Sequence, residues 1–182
     1  MLCISLEEFL FWKKKQLSKG GDQESFAVLL DCIGGISTKD LYLVNINSER
    51  NLHLKKNLEF LESVWDYHLS KSCPIQYLCG ITFWRDLKLK VTNKVLIPRP
   101  ETELIVDIVF NIFRNKSEKL YFAELGTGSG AISIALALAY PLSNGVATDI
   151  DQDAIEIATK NYLNSSKPVS YTHLTLPTIL RV

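Results

Sequence analysis

What the chain lacks narrows its chemistry first. Its longest apolar stretch, Ala131–Tyr140, is too short to cross a bilayer and reads as a buried helix. No basic cluster is present: Lys+Arg and Asp+Glu both number 20. Residues 1–72 carry nine basic and ten acidic side chains, and residues 73–168 ten of each, so neither half hides an excess. Binding to a polyanion draws its strength from clustered cations that displace counterions, so a nucleic-acid partner is not expected. The run Lys13–Lys15 reads as a solvated helix face. Cysteine is sparse: Cys3, Cys32, Cys73 and Cys79 form no C-x-x-C pair, and no histidine sits at ligand spacing. A metal site is therefore not expected, and reduced thiols in a cytoplasmic protein are. The opening residues MLCISLEEFLFWKKK place acids where a signal peptide needs positive charge.

What is present is a folded-protein composition, 47% hydrophobic and 22% charged. Residues 1–72 read as a helical domain. Ser5-Leu6-Glu7-Glu8 has the form of a capping box, Asp22 can cap a second helix, and Gly34-Gly35 can end it. From Asn51 to Leu69, Leu54, Leu58, Leu61 and Trp65 recur at helical spacing and predict one apolar stripe. His53 and His68 read as surface or packing residues. Cys73-Pro74 closes this region, because proline restricts the residue before it.

Residues 73–95 read as a hairpin linker, with strands Ile81–Arg85 and Leu87–Val91 around a tight turn. A βα alternation then runs from residue 96 to 168. Pro100-Glu101-Thr102-Glu103 opens a helix to about Phe113, with Glu101 or Thr102 as its cap. Leu120–Leu125 is a predicted strand, Ala131–Ala139 a helix, Val146–Thr148 a strand and Gln152–Asn164 a helix. That order implies an α/β fold with a parallel sheet and helical crossovers.

The chemistry lies in Glu124-Leu125-Gly126-Thr127-Gly128-Ser129-Gly130, between the predicted strand and helix. Alternating glycines let the backbone turn sharply and come close to a ligand, and the unpaired N–H groups of the helix point at the same place. Asp149 ends the next strand, where an acid can accept hydrogen bonds from ribose hydroxyls. The pattern describes a pocket for an adenosine-containing cofactor, with Gly126, Thr127, Gly128, Ser129, Gly130 and Asp149 as its candidate residues. A glycine turn can also serve tight strand–helix packing alone. The spacing is G-x-G-x-G rather than the G-x-G-x-x-G of nicotinamide sites, and Glu124 would repel a pyrophosphate. The loop resembles the first motif of class I methyltransferases, whose cofactor is cationic.

Two further segments resemble the signature stretches of the release-factor glutamine methyltransferases (the HemK/PrmC family). They are Pro74-Ile75-Gln76-Tyr77-Leu78 with Gly80, Phe83 and Trp84, and Leu96-Ile97-Pro98-Arg99-Pro100-Glu101-Thr102-Glu103. The resemblance covers about residues 73–164. It implies a helical domain of the substrate-binding type followed by the first part of a Rossmann-like, S-adenosylmethionine-binding domain whose sheet is incomplete. It also implies N5-methylation of the glutamine in the Gly-Gly-Gln motif of class-1 peptide chain release factors. The family's Asn-Pro-Pro-Tyr motif is absent from the sequence. No catalytic residue is therefore assigned, and the chain by itself is expected to be inactive. Whether Arg99 reaches the site stays open. So do two alternatives: another class I methyltransferase acting on adenine N6 or a small molecule, and a non-catalytic binding module. The tail, residues 169–182, resembles a translated sequencing adapter over Val169–Thr178, so Tyr171 and His173 are assigned to no site.

Overall fold

The structure is a computed structural model describing residues 2–37, 51–115, 117 and 119–165. The tail and the expectations attached to it lie outside these residues. The chain divides into two compact units, Met1–Cys79 and Gly80–Val182.

The first unit is helical, as expected, with one addition. Helix α1 (Leu6–Ser18) starts at Ser5, whose hydroxyl accepts from the Glu8 amide at 3.2 Å. Among the described residues Glu8 makes no return bond, so only half of the capping box forms. Helix α2 (Gln23–Leu29) is capped by Asp22, which accepts from the Ser25 amide at 2.7 Å. It continues as one π-turn, Leu30–Gly34, and stops at Gly35 in the left-handed region, φ 77°. Helix α3 (Leu58–Lys71) is capped by Asn57 and followed by the short helix α4 (Ile75–Cys79). An aromatic ladder fills the middle: Phe9, Trp12, Phe26 and Trp65 follow one another at ring separations of 6.1, 5.5 and 4.9 Å. Each is almost fully buried, and such a side chain contributes about 1.5–3 kcal/mol on leaving water.

The addition is a small antiparallel ribbon of β1 (Leu2–Ile4) and β2 (Leu52–Leu54). It corrects the expected stripe: Leu54 belongs to β2, while Leu58, Leu61 and Trp65 lie on α3. Leu54 is nevertheless buried in the same core, because a strand residue can fill a gap that helical spacing also reaches. His68 stacks on Trp65 with ring centroids 4.9 Å apart, and its Nδ1 lies 2.6 Å from the Cys73 carbonyl, a packing role.

In the second unit β3 (Ile81–Trp84) and β4 (Leu87–Lys90) form the expected hairpin, with Arg85 at φ 50° in the turn. A 3₁₀ turn (Pro100–Thr102) leads into α5 (Glu103–Ile112). Thr102 stands at the N-cap of that helix, as one of the two expected candidates, but makes no side-chain capping bond. The 3₁₀ turn fills its first turn instead, with the Thr102 amide bonded to the Arg99 carbonyl at 3.1 Å. Then come β5 (Tyr121–Leu125), α6 (Ala131–Ala139), β6 (Asn144–Thr148) and α7 (Gln152–Ser165). Strands β5 and β6 pair in parallel, Leu125 opposite Thr148, so the expected βαβα alternation and parallel pairing are observed. The pair keeps one face on the helices. Ala147 is buried there, whereas Tyr121 and Leu125 on the other face are 71% and 82% exposed.

Candidate cofactor site

The site is built where β5 ends. The Gly126 and Thr127 amides both donate to the Thr148 carbonyl, at 2.8 and 2.9 Å, so the loop folds over the end of β6. The Gly130 amide then bonds the Thr127 carbonyl at 2.9 Å, and α6 begins. Gly126, Gly128 and Gly130 have φ of 75°, 55° and 82°, a region that L side chains rarely adopt. Their surroundings differ. A Cβ on Gly126 or Gly128 would meet nothing within 4 Å, whereas one on Gly130 would lie 3.1 Å from Ala158 Cβ and 3.2 Å from Ile134 Cδ1. The first two glycines thus face open space, and the third allows α6 and α7 to pack.

The structure brings Asp149 to this loop. Its Oδ2 accepts from the Gly128 amide at 2.8 Å, and its Oδ1 from the Asp151 amide at 3.0 Å. Each oxygen retains acceptor capacity beyond these single bonds. Asp149 is therefore a clamp on the glycine loop as well as a half-buried acid beside it. Thr127 and Ser129 are buried, at 5% and 3% exposure. Arg99 is exposed; its carbonyl accepts from Trp84 Nε1 at 2.9 Å, which ties the Leu96–Glu103 stretch to the hairpin.

Glu124 is more occupied than the sequence suggests. Its Oε2 accepts from Thr127 Oγ1 at 2.8 Å, from the Ser133 amide at 3.1 Å, and from the Ser133 hydroxyl. A carboxylate on the preceding strand thus satisfies an orphan N–H in the first turn of α6. Burial pushes its carboxyl pKa up. The Ser133 and Thr127 bonds oppose that, and the nearby Asp149 charge adds to it. The upward shift means that this carboxylate carries an unrelieved charge penalty, which a cation placed beside it would reduce.

Two site-shaping residues escape the sequence reading. Ser133 is 1% exposed and is the lone polar residue in Ala-Ile-Ser-Ile-Ala-Leu-Ala-Leu-Ala. Asn161 is 1% exposed on the apolar face of α7 that also carries Ala154 and Ala158. The signal for both is a polar residue on an apolar face, which must find hydrogen-bond partners when buried. No group of three His, Cys, Asp or Glu that could hold a metal exists among the described residues.

No family model matches the chain. Among curated proteins it is 42% identical over 159 residues to a release factor glutamine methyltransferase of Prochlorococcus marinus, covering 87% of this chain and 54% of that protein. Its identity to the protein of that name from Synechocystis is 41% over 165 residues (87% and 55%). To that from Bacillus anthracis it is 34% over 168 residues (91% and 58%). The chain spans about half the length of the curated relatives it matches. Two solved structures of the N-terminal domain of human METTL16, the second in complex with SAH, are similar at TM-scores of 0.39 and 0.36 and identities of 18% and 20%. Each covers 77% of this chain, which covers 49% and 50% of them.

Proposed function

The chain is a sequence relative of the release factor glutamine methyltransferases, and from that kinship we propose that it forms the S-adenosylmethionine-binding part of such an enzyme. The reaction is methyl transfer to the side-chain nitrogen of the glutamine in the Gly-Gly-Gln motif of class-1 release factors, in the cytoplasm. The observation that carries the reading is the glycine loop clamped by Asp149, with open space above Gly126 and Gly128.

In this reading the cofactor adenosine lies against Gly126–Gly130, and its ribose hydroxyls donate to the remaining lone pairs of Asp149. The bound cofactor supplies an electrophilic methyl group on a sulfonium. The chain's own residues hold the loop rigid and place the Glu124 carboxylate near the positive charge. An amide nitrogen is a weak nucleophile, so rate must come from orientation against that methyl group. A test is to join the chain to the remaining part of the Prochlorococcus marinus relative, of which it covers 54%, and incubate the fusion with a release factor and S-adenosylmethionine. Mass spectrometry should find one added methyl group on the Gly-Gly-Gln peptide. Methylation of adenine in DNA or RNA, with the release factor unmodified, would contradict the proposal.

A further inference from the structure

Asn161 spends its whole amide on backbone that belongs to two other segments. Its Oδ1 accepts from the Lys90 amide at 2.6 Å, and its Nδ2 donates to the Lys90 carbonyl at 2.9 Å and to the Ser129 carbonyl at 2.9 Å. The side chain thus pairs with the end of β4 as another strand would, and its second N–H reaches the glycine loop. Only a primary amide offers two donors and an acceptor in this fork. The residue is 1% exposed, so each lost bond would leave a buried polar group without water to replace it.

The bond to Ser129 matters because of where Ser129 stands. Its neighbour Gly128 donates to Asp149, and its other neighbour, Gly130, packs on Ala158, three residues before Asn161 on α7. The loop is therefore held on one side by an acid at the end of β6 and on the other by a small residue and an amide from α7. Within the loop the Gly130 amide bond to the Thr127 carbonyl restrains the plane that carries the Ser129 carbonyl, while glycine on both sides adds no steric restraint, so the Asn161 bond is a second hold on the same peptide.

We propose that Asn161 is a positioning residue for the cofactor loop. By holding the Ser129 carbonyl it orients the Gly126–Gly130 backbone for S-adenosylmethionine and fastens that loop to the β3–β4 hairpin. This rests on the reading of the loop as a cofactor site. Asn161 touches no cofactor itself; it acts through Ser129. Asn161→Asp keeps the acceptor for Lys90 but deletes both donors, and Asn161→Ala deletes the whole fork. Tyr140→Phe is the control: it removes a hydroxyl bonded to the Phe113 carbonyl at 2.6 Å, a partly buried bond that does not involve the loop.

The experiment measures S-adenosylhomocysteine affinity by calorimetry on the whole chain, beside amide exchange at Gly128, for the parent and these three variants. Exchange is read without ligand and below each variant's unfolding transition. Both Asn161 variants should bind the ligand about tenfold or more weakly, the scale for losing a buried hydrogen bond, and their Gly128 amide should lose protection. Tyr140→Phe should lower thermal stability with both readouts unchanged. Parent-like affinity and Gly128 protection in both Asn161 variants would overturn the proposal, as would an equal loss in Tyr140→Phe. If the parent chain itself binds no ligand, the cofactor reading falls. Gly128 exchange then decides on Asn161 alone, since retained protection in Asn161→Ala still overturns its positioning role.

Discussion

At Gly126 and Gly128 the backbone needs glycine for its positive φ, while the space above is empty; at Gly130 the same φ coincides with crowding by Ala158 and Ile134. Equal-looking glycines therefore respond differently to substitution. Gly128→Asn places a side chain that tolerates left-handed backbone into open space, and should weaken S-adenosylhomocysteine binding with little loss of stability. Gly130→Ala should instead destabilise the second unit by about 1–3 kcal/mol through overpacking and strain, measurable by chemical denaturation. Glu124 gives the second test at this scale. Its folded-state pKa lies above the unfolded value, so proton binding at Glu124 stabilises the fold at pH below the ordinary carboxyl range. That contribution is lost as pH rises through the raised value. Glu124→Gln can keep an acceptor for Thr127 and Ser133 without the charge. The variant should be as stable as the parent in acid, where the carboxyl is protonated, and at least as stable once pH has risen through the raised value. Its affinity for the cationic S-adenosylmethionine should nevertheless fall. A Glu124→Gln chain less stable than the parent only at neutral pH would contradict this sign.

Among the elements, helix starts are where local chemistry decides most directly. Asp22→Ala removes the acceptor for the Ser25 amide and should cost about 0.5–2 kcal/mol. The Asp22 carboxyl sits below its usual range, held down by the backbone and hydroxyl of Ser25. Its stabilisation is present above the ordinary carboxyl value and fades as pH falls through the lowered one, so parent and variant should converge in acid. A difference that persists unchanged in acid would assign the effect to something other than the ionised cap. These caps, the apolar run of α6 and the hairpin turn were legible because their cause lies within a few residues. The ribbon β1–β2 was not, since two three-residue strands carry too little alternation to distinguish from a helical stripe through Leu54. Asn161 was illegible for another reason: its partners Lys90 and Ser129 are 71 and 32 residues away. The glycine loop and Asp149 could be picked out as a motif, but the Gly128–Asp149 bond and the capture of Glu124 by Ser133 required the fold.

For the whole molecule, two units of different character share one chain. The first closes its core around the aromatic ladder, whereas the parallel pair of the second leaves Tyr121 and Leu125 largely in water. Ile150, just past β6, is 91% exposed. Exposed apolar strand faces favour local opening and association. Amides of β5 should therefore exchange faster than those of α1 and α3 in the isolated chain, and slow exchange through Tyr121–Leu125 would contradict that expectation. No described helix is long and apolar enough to cross a membrane. Gly126–Gly130 with Asp149 is the proposed seat of the adenosine part of S-adenosylmethionine. Titrating S-adenosylhomocysteine into isotope-labelled chain while following backbone amide signals tests it most directly. Saturable shifts are expected at Gly126, Thr127, Gly128, Ser129 and Asp149, abolished or displaced to much higher ligand concentration by Asp149→Ala. Unchanged loop signals in a folded chain, or shifts confined to other residues, would contradict it.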